Sequence, residues 1–122
     1  RIEVYRVGSK GFNPDEYLTM ATARGAVTGT LLDRNTVFLA GGRGEGGSTS
    51  RTEVIVETVV CQGENNTPPC FRVPQLFAGR TPELDASRAG HAALFDGTHK
   101  VLVVGGVSEA NVTPDPILYN PE

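Results

Sequence analysis

The sequence predicts an all-β fold made of repeated antiparallel hairpins, and three features carry that expectation. Glycine and proline are abundant, at 15 and 8 of 122 residues, while Trp is absent and Met occurs once. That balance suits a turn-rich sheet protein. A segment around Arg24 is echoed around Arg88, 64 residues on. Each echo holds two apolar runs separated by turn-forming residues, the pattern of a β-hairpin.

The echo fixes most elements. With Ala23 to Val27 placed over Ser87 to His91, the pairs Gly41-Gly42 and Gly105-Gly106 fall into register, and each arginine precedes its first glycine by 17 residues. Between these anchors lie turns at Asp33-Arg34-Asn35 and Asp96-Gly97, then Val37 to Ala40 and Val101 to Val104. These last strands are apolar on both faces, as expected of strands between layers of sheet. The first copy therefore predicts an inner strand near residues 26–32, a second at 36–40, a third at 51–60 and an outer one near 71–73. At the start of the chain, residues 2–7 read as a strand, and Asn13-Pro14-Asp15-Glu16 carries a helix-start pattern worth at most one turn. Residues 117–119 read as a last strand.

Ile2-Glu3-Val4 matches Thr52-Glu53-Val54 at an offset of only 50. The difference from 64 places about 14 extra residues after Glu53, in the interval holding Cys61 and Cys70. These cysteines bracket a polar stretch with a glycine and two prolines. A disulfide closing a flexible surface loop is the expected arrangement, with an oxidising compartment as its corollary; two reduced thiols are the alternative. Zinc is disfavoured, since only His91 and His99 are available and no Cys-x-x-Cys occurs.

Four apolar residues followed by Gly-Gly, Tyr119-Asn120-Pro121 about a dozen residues later, the Arg-x-Gly-His of Arg88 to His91, and a basic period near 50 together resemble kelch repeats. The tryptophan usual in that pattern is missing, leaving Phe12 or Phe71 to stand in, and Val27 occupies the place of His91. The resemblance implies an all-β, kelch-type β-propeller fragment with four-stranded antiparallel blades in an incomplete ring. Residues 1–19 would end a preceding blade, 20–80 form a full blade with the Cys61–Cys70 loop insertion, and 81–122 supply the first three strands of a following blade. Propellers close with roughly 4 to 8 blades, so partners are expected to include further blades of the same or a neighbouring chain.

Arg24, Arg88, Gly41, Gly42, Gly105, Gly106 and Tyr119 are expected to be architectural, because they recur or belong to the repeat pattern. The arginines would bond backbone carbonyls between neighbouring blades, and His91 would pack near the ring axis. Gly42 to Gly47 matches G-x-G-x-x-G, but a strand-forming run follows where a dinucleotide fold needs a helix. It reads as a mobile glycine-rich loop. Asn65-Asn66-Thr67 and Asn111-Val112-Thr113 are formal glycosylation sequons.

A net charge of -3 with scattered charges disfavours nucleic acid or anionic membrane as the main partner. The chain begins at Arg1 and carries neither a leader-like segment nor a spanning apolar run, so no membrane insertion by this segment is expected. No catalytic constellation, metal site or cofactor stands out. The fold analogy implies a non-enzymatic binding or structural module, secreted, periplasmic or at the cell surface, presenting loops to a protein or glycan or packed in a larger assembly. A galactose-oxidase-like copper enzyme with active residues outside this segment is the rival. Contact residues are expected at Glu64, Asn65 and Asn66, then at Arg43 and Glu45.

Overall fold

The structure, a computed structural model, describes residues 1–8 and 10–121. It is all-β with small antiparallel sheets, and among the described residues the only helical element is a single 3-10 turn. Strand β1 (Ile2–Glu3) pairs with β2 (Tyr17–Leu18). A four-stranded sheet runs in the order β3 (Thr28–Asp33), β4 (Thr36–Ala40), β7 (Thr52–Cys61), β8 (Cys70–Ala78). A two-residue hairpin, β5 (Arg43–Gly44) with β6 (Gly47–Ser48), lies between β4 and β7 in the chain. The three-stranded sheet is β9 (Ala89–Phe95), β10 (Val101–Val107) and β11 (Ile117–Tyr119), with β10 central.

The 64-residue echo holds at the level of register. Thr30↔Phe38 and Leu31↔Val37 in the first sheet correspond to Leu94↔Leu102 and Phe95↔Val101 in the second. Leu39↔Glu53, Phe38↔Val54 and Val37↔Ile55 correspond to Val103↔Ile117, Leu102↔Leu118 and Val101↔Tyr119. Because directly paired residues share a face, the same face of each sheet can be followed residue by residue.

The core lies between the two sheets. Phe38, Ala40 and Val54, with Leu32, Val56 and Phe77 at their margin, meet Val101, Val103 and Tyr119 with Ala93, Phe95 and Ile117. Phe38 and Tyr119 stack with centroids 5.2 Å apart, a pairing that adds about 0.5–1.5 kcal/mol to the gain from burial. Leu84, in the connection between the sheets, completes the cluster.

Main-chain bonds stitch the sheets where glycines allow close approach. Gly42 N–H donates to the Arg88 carbonyl at 2.8 Å, Leu84 N–H to Ser50 at 2.8 Å, and Arg88 N–H to Thr49 at 3.2 Å. Gly41 sits at φ 63, and a Cβ there would lie 2.6 Å from both the Arg88 carbonyl and the His91 ring. Any side chain would drive the sheets apart.

Several sequence expectations need correction. Asn13 to Glu16 form a β-turn instead of a helical turn: the Asn13 side chain accepts from Asp15 N–H at 3.0 Å and its carbonyl from Glu16 N–H at 3.1 Å. With β2 starting at Tyr17, the chain has no room to propagate a helix. The first strand is two residues long, not six, and the outer strand spans Cys70–Ala78, not 71–73. In the second sheet β10 is covered on one face only, since Val101 and Val103 are buried while Leu102 and Val104 are exposed.

Candidate functional site

Strand β7 pairs with β4 only as far as Val56, yet β7 and β8 stay paired out to Cys61↔Cys70. The extra residues lengthen a two-stranded ribbon that projects beyond the sheet, and the expected disulfide closes the loop of residues 62–69 at its end. Val59, Val60, Phe71 and Val73 are β-formers on both sides of the insertion, and strand pairing satisfies their backbone groups better than an open loop would. We call this ribbon the arm.

The arm is closed by the Cys61–Cys70 disulfide across directly opposed residues, with a Cα separation of 4.0 Å. Beyond it, Gln62 N–H donates to the Pro69 carbonyl and Gly63 N–H to the Thr67 carbonyl, both at 2.9 Å. The Thr67 hydroxyl donates to the Glu64 carbonyl at 2.6 Å, tying off the 3-10 turn Glu64–Asn66. Gly63 is required here, because a Cβ would run into Thr67 and the Pro68 carbonyl. Asn65 and Asn66 take left-handed φ values of 54 and 61, which asparagine tolerates better than most residues. Glu64, Asn65 and Asn66 are all exposed at this ordered tip. Below it, Val60 and Phe71 oppose each other on one face of the ribbon, and both are exposed.

At the arm's base Arg6 forms an ion pair with Glu16, bonding through Nε at 3.0 Å, and it also reaches the Arg72 carbonyl at 3.5 Å. The carboxylate holds the Arg6 guanidinium above its ordinary pKa, first through the hydrogen bond and then through its charge. A cavity of about 590 Å³ between the N-terminal segment and the arm is lined by Tyr5, Arg6, Glu57, Arg72 and Pro74, among others.

Arg43 and Glu45 are exposed on the β5–β6 hairpin. This segment is paired, not the mobile loop its glycines suggested: Arg43 and Gly25 exchange two main-chain bonds of 2.8 Å, and Gly47 packs directly against the Glu109 carboxylate. The hairpin lies at the Ala40↔Thr52 end of the sheet and the arm at the other. Ten residues of β7 separate those ends, about 30 Å at strand rise. The two groups of candidate contact residues therefore do not converge.

Gly41, Gly42, Arg88, His91 and Tyr119 fall at the sheet junction, whereas a Cβ at Gly105 would meet nothing within 4 Å, and the two arginines need revision. Arg24 does not bond carbonyls: its Nη2 meets Glu53 Oε2 at 2.9 Å with both side chains buried, while Glu53 Oε1 accepts from Ala21 N–H at 2.7 Å. The 2.9 Å contact is an ion pair without hydrogen-bond alignment, since neither of its atoms gains a directed partner among the described residues. Glu53 carried a signal only as part of the strand match to Glu3, and nothing in the sequence marked it as Arg24's partner. Arg88 does bond carbonyls, of Gly105 at 3.3 Å and Asp115 at 2.9 Å, but these belong to its own sheet and the loop leading into β11.

His91 Nε2 lies 2.8 Å from the Thr28 hydroxyl, bridging β9 and β3. Burial, then the nearby Arg88 charge, push its pKa below the ordinary histidine value, against a smaller opposing effect of the Ala40 carbonyl. Tyr119 donates its hydroxyl to the Pro82 carbonyl, and burial raises its pKa. Gly105 and Gly106 hold positive φ in β10. Among the described residues no group of three or more His, Cys, Asp or Glu is placed to hold a metal, and no helix is long and apolar enough to cross a membrane. The disulfide is compatible with an extracellular protein. Comparison with protein-family models, curated proteins and solved structures found no match for this chain.

Proposed function

We propose that the chain is a non-enzymatic extracellular binding module, a segment of a kelch-type propeller that presents the disulfide-closed arm to a protein or glycan partner. In this reading residues 1–19 end one blade, 20–80 make a full blade and 81–122 open the next, with further blades completing the ring. The observation that carries it is the arm. It places an aromatic and β-branched base, Phe71 with Val60, beneath a polar tip of Glu64, Asn65 and Asn66. That is the anatomy of a recognition surface, an apolar anchor rimmed by hydrogen-bonding groups. Tip hydrogen bonds and the disulfide order it before any partner arrives, which lowers the entropy lost on binding.

The test is to probe arrayed extracellular protein domains and glycans with the folded chain, then with a variant whose residues 62–69 are a short Gly-Ser linker between the retained cysteines. Folding is expected to survive, and binding to each captured probe to fall at least tenfold, about 1.4 kcal/mol. Undiminished binding would make the arm a spacer. Stoichiometric copper retained after dialysis, with oxidase activity, would favour the enzyme reading instead.

A further inference from the structure

We infer that the β7 edge of the arm is a strand-addition site, where an extended segment of a protein partner pairs with residues 57–61. The inference rests on the reading of the arm as a binding surface and deepens it, choosing protein over glycan and naming the form the partner takes.

The directions of the arm's main-chain groups follow from two bonds. Glu57 N–H donates to the Asn35 carbonyl at 2.8 Å, away from β8, while Gln62 N–H donates across the arm to the Pro69 carbonyl at 2.9 Å. Along an antiparallel strand these directions alternate residue by residue, so Thr58 and Val60 bond toward β8 while Glu57, Val59 and Cys61 turn their groups outward. Pairing with β4 ends at Val56. Beyond it the N–H and carbonyl groups of Val59 and Cys61, with the Glu57 carbonyl, form an open edge about 17 Å long at strand rise. Val59, in its middle, is 63% exposed.

The arm's two edges differ. On β8 the outward positions are Cys70, Arg72 and Pro74, opposite Cys61, Val59 and Glu57. Pro74 has no N–H to offer, and the Arg72 carbonyl accepts from Arg6 at 3.5 Å. A proline and a covering segment are among the ways sheet edges are kept from pairing with other chains. The β7 edge has neither, and Thr58, Val59 and Val60 on it are β-branched. Recognition by strand addition uses an edge of this kind.

The occupant's chemistry follows from the pairing. Main-chain donors and acceptors at strand spacing match a peptide, whereas a glycan carries no such repeat. At Glu57 the turn of residues 33–35 closes the edge. A slender segment therefore fits better than a second arm, whose closed tip of residues 62–69 would have to cross that turn. An antiparallel partner sets its residues opposite Thr58 and Val60 on the face that carries Phe71 and Val73. Aromatic or β-branched side chains suit those places, and a basic residue suits the place opposite Glu57.

The test is selection from a library of random displayed peptides on the folded chain. Enriched peptides are expected to alternate apolar with polar residues, to carry a lysine or arginine, and to lack proline within that run. With the tightest of them bound, amide exchange should slow at least tenfold at Val59 and Cys61 and less at Thr58 and Val60, which β8 already protects. Val59→Pro removes the central N–H at a position that β7–β8 pairing does not use, as Pro74 does on the opposite strand, and should weaken binding at least tenfold. Should that variant not fold, the exchange pattern in the parent chain decides alone.

No enrichment over background, protection confined to residues 62–69, or undiminished binding by folded Val59→Pro would overturn the inference. So would a dimer in sedimentation that Val59→Pro dissolves, because a second copy would then hold the edge. The linker variant at residues 62–69 separates the two readings. Binding lost with the linker but kept by Val59→Pro leaves the arm a binding surface without strand addition, and binding lost with Val59→Pro but kept with the linker sustains strand addition without the tip.

Discussion

Phe38 in the four-stranded sheet is fully buried, and Leu102, its counterpart 64 residues later, is not. The same contrast separates Val54 from Leu118 and Gly41 from Gly105, although each pair holds the same place in its sheet. Strand pairing is therefore written into the local sequence, whereas burial depends on what is stacked alongside. The arginines differ in a complementary way. Arg24 faces Glu53, but the corresponding position in the second sheet is Ile117, and Arg88 instead bonds the Gly105 and Asp115 carbonyls and lies 3.5 Å from the Asp85 carboxylate. One architectural position thus has two electrostatic arrangements, a buried carboxylate on the neighbouring strand in the first sheet and main-chain carbonyls with a half-exposed carboxylate in the second.

The sharpest way to break this comparison is Glu53→Ile, which gives the first sheet the second sheet's residue. It leaves Arg24 charged and buried without its counter-ion, and a loss of about 3–5 kcal/mol is expected in urea unfolding. A loss below about 1 kcal/mol would mean that Arg24 swings onto carbonyls as Arg88 does, and the two solutions would be interchangeable.

A smaller effect should separate the glycines. Gly41→Ala and Gly105→Ala both force alanine into positive φ, at about 1–2 kcal/mol each. Only the former adds a collision with the Arg88 carbonyl and His91, so it should cost about 1–3 kcal/mol more. Equal losses would show that the junction at Gly41 yields freely.

The smallest effect concerns pH. The folded-state pKa of His91 is lowered, so the unfolded chain binds a proton more readily than the native one. The junction's stability should be fully present above the ordinary histidine value of about 6.5 and decline as pH falls through the lowered folded value. His91→Val, which copies Val27 of the first repeat, should flatten the unfolding midpoint across that window; an unchanged slope would assign the dependence to another group.

The comparison also explains what the sequence could reveal. Paired glycines, a fixed arginine spacing and apolar runs repeat at one offset, and register follows from such local information. The glycine and prolines between the cysteines signal the turn and its disulfide, but the length of the strands they join is carried by the β-branched and aromatic residues on either side, which blade length alone does not weigh. Glu53 was missed for another reason: an ion pair between remote segments has no local signal, and only the register places it beside Arg24. The hairpin at Arg43 was misjudged because glycine permits mobility without requiring it, and its order comes from bonds to Gly25 and packing on Glu109.

The two faces that meet between the sheets are different surfaces, one centred on Phe38 and Val54, the other on Val101, Val103 and Tyr119. A contact of that kind is heterologous: what one unit offers in front differs from what it accepts behind. Repeated, it closes into a ring if the rotation between units divides a full circle, and it runs on as a filament if not; it has no two-fold solution. Were such a contact repeated, the choice between a closed ring and an open filament would follow from the rotation between the two sheets, which the 2.8 Å bond from Gly42 N–H to the Arg88 carbonyl helps to hold.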